Sequence, residues 1–166
     1  PRHILNVHQA VTLTVGLKPF DDYLRGALSI HQLCSENQSG LTLQPWQSEN
    51  WNDSVSMQFS NRFFTSKRNL HNGPTLSLPV NVDPFSISMC HQGQDCLHLQ
   101  DNQVGYYERC IHHRGIAKIS HINLSSIQLG HLVKLQVSYW MIRTGKDTLR
   151  LISKLVSICI IDRCVE

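Results

Sequence analysis

Apolar positions in this chain recur at every second residue far more often than at every third or fourth. Val133, Leu135, Val137, Tyr139 and Met141 alternate with Lys134, Gln136, Ser138 and Trp140. A period of two belongs to a strand with one buried face. The stretch "TGKD", residues 144–147, supplies a turn. A second run follows, with Leu149, Leu151, Ser153, Leu155 and Ser157 on one face and Ile152, Val156, Ile158 and Ile160 on the other. Together the two runs predict a long antiparallel hairpin. The second run is apolar on both faces near its end, so that end is expected in a central position, buried on both sides.

Shorter alternating runs predict more strands: Val11, Leu13 and Val15; Val55, Met57 and Phe59; Leu76, Leu78, Val80 and Val82; Phe85, Ile87 and Met89. Pro79 demotes the third of these to an edge or a bulge, and Asp83-Pro84 breaks the chain before the fourth. In "GIAKISHINL" Ile116, Lys118, Ser120 and Ile122 share one face, and Ala117, Ile119, His121 and Asn123 the other. One segment has helical spacing. In "FDDYLRGALSIHQLC", Tyr23, Ala27, Ile30 and Cys34 fall on one face, with Asp21 or Asp22 placed to cap it. Gly26 weakens a helix there by ~1 kcal/mol, and the alternation of Leu28 with Ile30 leaves a strand open. The polar stretch "QPWQSENWND", residues 44–53, reads as a long exposed loop. The expected fold is mostly β: an antiparallel β-sandwich or partly closed barrel, with a long C-terminal hairpin and one short helix near 21–34. The 166 residues suit a single domain, 1–166.

Composition adds a compartment. Charged residues are 16% of the chain, against an average of ~25%, and Ser, Gln, Asn and His supply the polarity instead. A net charge of +3, with no run of five basic residues, gives no reason to expect a nucleic-acid partner. No apolar run reaches the ~18 residues of a membrane span, because Lys154 and the serines interrupt "LISKLVSICII". The opening "PRHIL" reads as the start of a mature or excised segment whose signal peptide has been removed.

The six cysteines, Cys34, Cys90, Cys96, Cys110, Cys159 and Cys164, form an even set. Three of them share residues 89–113 with four histidines, which raises the question of a metal site. The spacing argues against zinc. Five residues separate Cys90 from Cys96, thirteen more precede Cys110, and no Cys-x-x-Cys occurs. In an oxidising compartment these thiols would pair first. Six cysteines allow fifteen pairings. A local bridge from Cys90 to Cys96 across Gly93 is one candidate, and Cys159 and Cys164 are each expected to reach Cys34 or Cys110. Asn37, Asn52 and Asn123 each open an N-x-S sequon without proline. Even cysteines, sequons and few charges point to a secreted chain or the outer face of a membrane.

The stretch "DNQVGYYERC" resembles the corner before the second cysteine of immunoglobulin domains. Glu108 stands where that pattern has tyrosine, and more than fifty residues follow Cys110. No family residues are carried over from it.

Enzyme chemistry finds no motif: no Gly-x-Ser-x-Gly, no Gly-rich phosphate loop and no His-Glu-x-x-His. No catalytic activity, cofactor or metal is therefore expected. Exposed aromatic residues beside arginine are typical anchors of protein interfaces. "NRFFTSKRN" offers Arg62, Phe63, Phe64, Lys67 and Arg68, and the polar loop offers Trp46 and Trp51. The expected function is extracellular recognition of another protein, as a ligand, a receptor ectodomain or a subunit of a surface or envelope complex. The alternative is a secreted carrier of a lipid or other hydrophobic ligand, with the C-terminal hairpin as a cavity wall.

Overall fold

The computed structural model describes residues 7–14, 18–46, 49–51, 54–69, 76, 96–111 and 115–163. Among the described residues the chain is mostly β, with one α-helix, a mixed sheet and a small second sheet. In order come β1 (His8–Thr14), α1 (Lys18–Glu36), β2 (Thr42–Leu43), β3 (Glu49–Trp51), β4 (Ser54–Arg62), β5 (Thr65–Ser66), β6 (Cys96–Leu97), β7 (Gly105–Ile111), β8 (Ala117–His121), β9 (Leu132–Arg143) and β10 (Thr148–Asp162). Two compact units emerge. The first comprises the described residues within 1–9, 60–137 and 155–166, and the second those within 10–59 and 138–154. β1, β4, β9 and β10 each contribute residues to both.

In the second unit the strand order is β1-β4-β10. β3 pairs antiparallel with β4, and β2 runs parallel to the start of β10, with Leu43 beside Leu149. The helix takes the face its spacing predicts. Ala27 is fully buried, and Ile30 and Cys34 pack with Leu41 and Tyr139 on the buried Leu43, Leu149 and Leu151. The Tyr23 ring meets Phe59 edge-on at 5.4 Å. Its hydroxyl accepts a 2.6 Å bond from Tyr139. Burial and that bond hold the Tyr139 hydroxyl protonated far above the usual tyrosine range. The helix runs past Gly26 because tertiary packing outweighs its ~1 kcal/mol penalty. At the far end the Asn37 side-chain amide donates to the Leu33 carbonyl at 2.7 Å, satisfying one of the orphan acceptors of the last turn.

In the first unit the order is β10-β7-β8. β7 runs parallel to β10, with Cys159 beside Tyr107 and Ile160 beside Glu108. β8 returns antiparallel, with Ile119 opposite Arg109. Gly115, at φ 72°, takes the left-handed conformation in the connection between them. β5 and β6 form the small second sheet, beside which Phe64 packs on Cys96. A buried polar knot ties these pieces. Asn102, with no exposed surface, accepts through Oδ1 from the Thr65 hydroxyl at 3.1 Å and the Leu99 amide at 2.9 Å. Its carbonyl accepts from Gln9 at 2.8 Å, and Gln9 in turn accepts from the Tyr106 hydroxyl.

The C-terminal hairpin forms as its pattern predicts. β9 pairs with β10 across the turn at 144–147, where the Thr144 amide donates to the Thr148 carbonyl at 3.0 Å. So short a connection fixes the pair as antiparallel. Two expectations are corrected. The sheet is mixed, because β2 and β7 both lie parallel to β10, and it is not a closed barrel. The loop expected over residues 44–53 contains β3, because Glu49, Asn50 and Trp51 find backbone partners on β4. The runs around residues 77–89 lie outside the described residues. Among the described residues no helix is long and apolar enough to cross a membrane.

Candidate functional site

Burial along β10 changes parity. Leu149, Leu151 and Leu155 are buried at odd positions, and then Ile158 and Ile160 at even ones. In the first unit this leaves Ser157, Cys159 and Ile161 on a face that, among the described residues, has no covering layer. Register places Tyr107 and Arg109 of β7 and Ile119 of β8 on the same face. Lys134 and Gln136 of β9 complete it, and the Ser157 hydroxyl donates to Gln136 at 3.3 Å. The result is an open concavity of about 630 Å³, which Leu135 also lines.

Each wall has a local cause. Gly105 lets the Tyr107 ring fold back over the strand: a Cβ there would lie 2.6 Å from the ring carbon Cε2. The ring then packs against His121, with centroids 4.5 Å apart. Ile119 is 64% exposed. Arg109 and Lys134 are exposed too, and among the described residues neither has a carboxylate partner. On the opposite face of β7, Arg163 donates to both oxygens of Glu108, at 2.5 and 2.9 Å. Those bonds hold the Glu108 carboxyl below its ordinary range and raise the arginine. One face of this sheet thus has an ion pair. The concave face presents two uncompensated cations beside apolar surface.

The residues singled out from sequence fall in both units. Phe64 is 1% exposed and belongs to the core, with Phe63 against it at 5.2 Å and His98 bonded to the Phe63 carbonyl at 2.8 Å. Its ring is therefore withdrawn from any partner. Arg62 ends β4, and Lys67 and Arg68 lie exposed in a short turn after β5. Trp46 is half-buried beyond β2. Trp51 ends β3, opposite Ser54, and its side chain lies outside the description. None of the other six lines the concavity.

Among the cysteines, Cys34 is half-buried on the packed face of α1, Cys96 is buried in β6, Cys110 is exposed on β7 and Cys159 lines the concavity. A bridge between Cys110 and Cys159 is excluded. The register partner of Cys159 is Tyr107, three residues from Cys110. That offset is roughly 10 Å along the strand and places the two side chains on opposite faces, beyond the ~6.8 Å limit of a disulfide. Cys90 and Cys164 lie outside the described residues, as does Asn52. Asn37 and Asn123 are exposed, and the Asn123 Oδ1 accepts from the Ser125 amide and hydroxyl of its own sequon. Among the described residues no three metal-ligating side chains converge.

Of the nine wall residues only Cys159 was singled out from sequence, and that as a disulfide candidate. Alternation assigned Lys134 and Gln136 to the polar side of β9, and nothing in one sequence told which face of β7 and β8 would meet it. No family model matches the chain, and neither a curated protein nor a solved structure does.

Proposed function

We propose that the chain is an extracellular recognition module that binds another protein through the open face of β7, β8, β9 and β10. The observation that carries this reading is the open concavity, where exposed Ile119 and the Tyr107 ring lie beside Arg109 and Lys134, neither of which has a carboxylate partner among the described residues. An apolar centre flanked by uncompensated charge is the pattern of a specific protein interface. The two cations select a partner surface that is acidic around an apolar centre. Exposed sequon asparagines at 37 and 123 fit an extracellular setting. Arg62 and Arg68 remain available as peripheral anchors. The carrier alternative would need an enclosed chamber, which an open face does not provide.

The test is a surface plasmon resonance screen of the soluble chain against purified ectodomains, followed by hydroxyl-radical footprinting of the complex. Protection of Tyr107 and Ile119 is the expected result. Protection confined to Arg62 and Arg68 would move the interface to the loops, and no binder at all would remove the recognition reading.

A further inference from the structure

A second surface lies in the second unit and shares no residue with the concavity. β9 is a 12-residue strand that pairs, among the described residues, with β10 alone. Among the described residues its other edge is a row of backbone donors and acceptors without a strand partner. The hairpin sets which groups point outward. The Thr144 amide donates inward to Thr148. In an antiparallel ladder inward-bonding residues alternate. Tyr139, Met141 and Arg143 therefore turn their amides to the outer edge.

Edges of this kind are usually blunted by proline, by inward-pointing lysine or by a bulge. Residues 139–142 read Tyr-Trp-Met-Ile and contain neither proline nor lysine. Trp140, Met141 and Ile142 are 48%, 41% and 39% exposed, so apolar surface is presented on both faces of the strand at once. The charges around them have one dominant sign. Residues 138–154 carry Arg143, Lys146, Arg150 and Lys154 against Asp147, and the Lys154 ammonium lies over the Trp140 ring at 4.9 Å.

We propose that the outer edge of β9 around Met141 is a docking site for an extended segment of a partner protein in which apolar and acidic residues alternate, added to the sheet as a further strand. Strand addition takes its affinity from main-chain bonds and its specificity from alternate side chains. Here the apolar positions lie against Trp140 and Ile142, and the acidic ones, on the opposite face of the added strand, meet Arg143. A second copy of the chain is disfavoured as occupant, because it would bring the same cations to the same edge. The inference rests on the reading that the chain recognises proteins, but not on the concavity.

The test titrates the intact chain with a synthetic peptide of alternating valine and glutamate, following backbone amides by NMR and affinity by fluorescence anisotropy. The amides of Tyr139, Met141 and Arg143 should shift. Met141→Pro removes one outward amide without touching the β10 ladder, a position where an edge strand tolerates proline, and should weaken binding about tenfold or more. N-methylating alternate peptide residues leaves the protein intact and should do the same, which covers the case of a variant that fails to fold. Equal binding of a valine–lysine peptide would overturn the proposal. So would binding indifferent to N-methylation, or self-association of the chain through β9. Loss of peptide binding by Arg109→Glu, with Met141→Pro silent, would return the activity to the concavity.

Discussion

The two ends of β10 treat the same kind of strand face differently. In the second unit the odd-numbered Leu149 and Leu151 are buried, because α1 brings Ala27, Ile30 and Cys34 to that side. In the first unit the odd-numbered Ser157, Cys159 and Ile161 line an open concavity, and the even-numbered Ile158 and Ile160 are buried instead. Along this 15-residue strand the buried positions thus shift from odd to even, as they do where a bulge adds one residue to one strand of a pair. An apolar residue on a strand shows that the face can be covered. Whether it is covered depends on which element arrives there.

Truncation should separate the two ends most strongly. Leu151→Ala removes packing from beneath α1 and should cost about 3 kcal/mol in chemical denaturation. Ile119→Ala on the open face should stay within about 0.5 kcal/mol. Equal costs would mean that the open face is covered by something. Next comes the polar knot. Asn102→Ala leaves the Leu99 amide and the Thr65 hydroxyl buried without their acceptor and should cost about 2 kcal/mol, read in the same way. A smaller and purely local effect is expected of Gly105→Ala. The added methyl displaces the Tyr107 ring and should weaken partner binding with little change in melting temperature.

The smallest effect concerns pH. The folded-state pKa of Glu108 is lowered, chiefly by its bonds from Arg163. A depressed carboxyl contributes stability that is present above its unfolded pKa and lost as pH falls through the folded one. Glu108→Gln should therefore lower the melting temperature slightly at neutral pH and flatten its decline on acidification below about pH 4. Because the pair is solvent-exposed, the change should also shrink with added salt.

Sequence made the hairpin, β1, β4, β8 and the contact face of α1 legible, because each rests on local periodicity. Tyr23, Ala27, Ile30 and Cys34 are four positions of one helical face, and all four meet the second unit's core. The parallel pairing of β7 with β10 was not legible, since register between strands some fifty residues apart leaves no local trace. The candidate site was missed for the same reason. Its walls come from four strands and converge only once Cys159 lies beside Tyr107 and Ile119 beside Arg109. Phe64 shows the opposite limit. A pair of aromatics beside arginines looks like an exposed anchor, yet the sequence does not tell which ring turns inward.

The most direct test of the account is the affinity of the Arg109→Glu, Lys134→Glu double variant for a partner found by the ectodomain screen, measured beside its melting temperature. Both side chains are exposed and neither has a carboxylate partner among the described residues, so the melting temperature should hold. Reversing both charges against an acidic partner should weaken binding by at least about tenfold. Unchanged affinity would contradict the claim that this face is the recognition surface. A fall in melting temperature equal to that of Leu151→Ala would contradict the claim that it is uncovered.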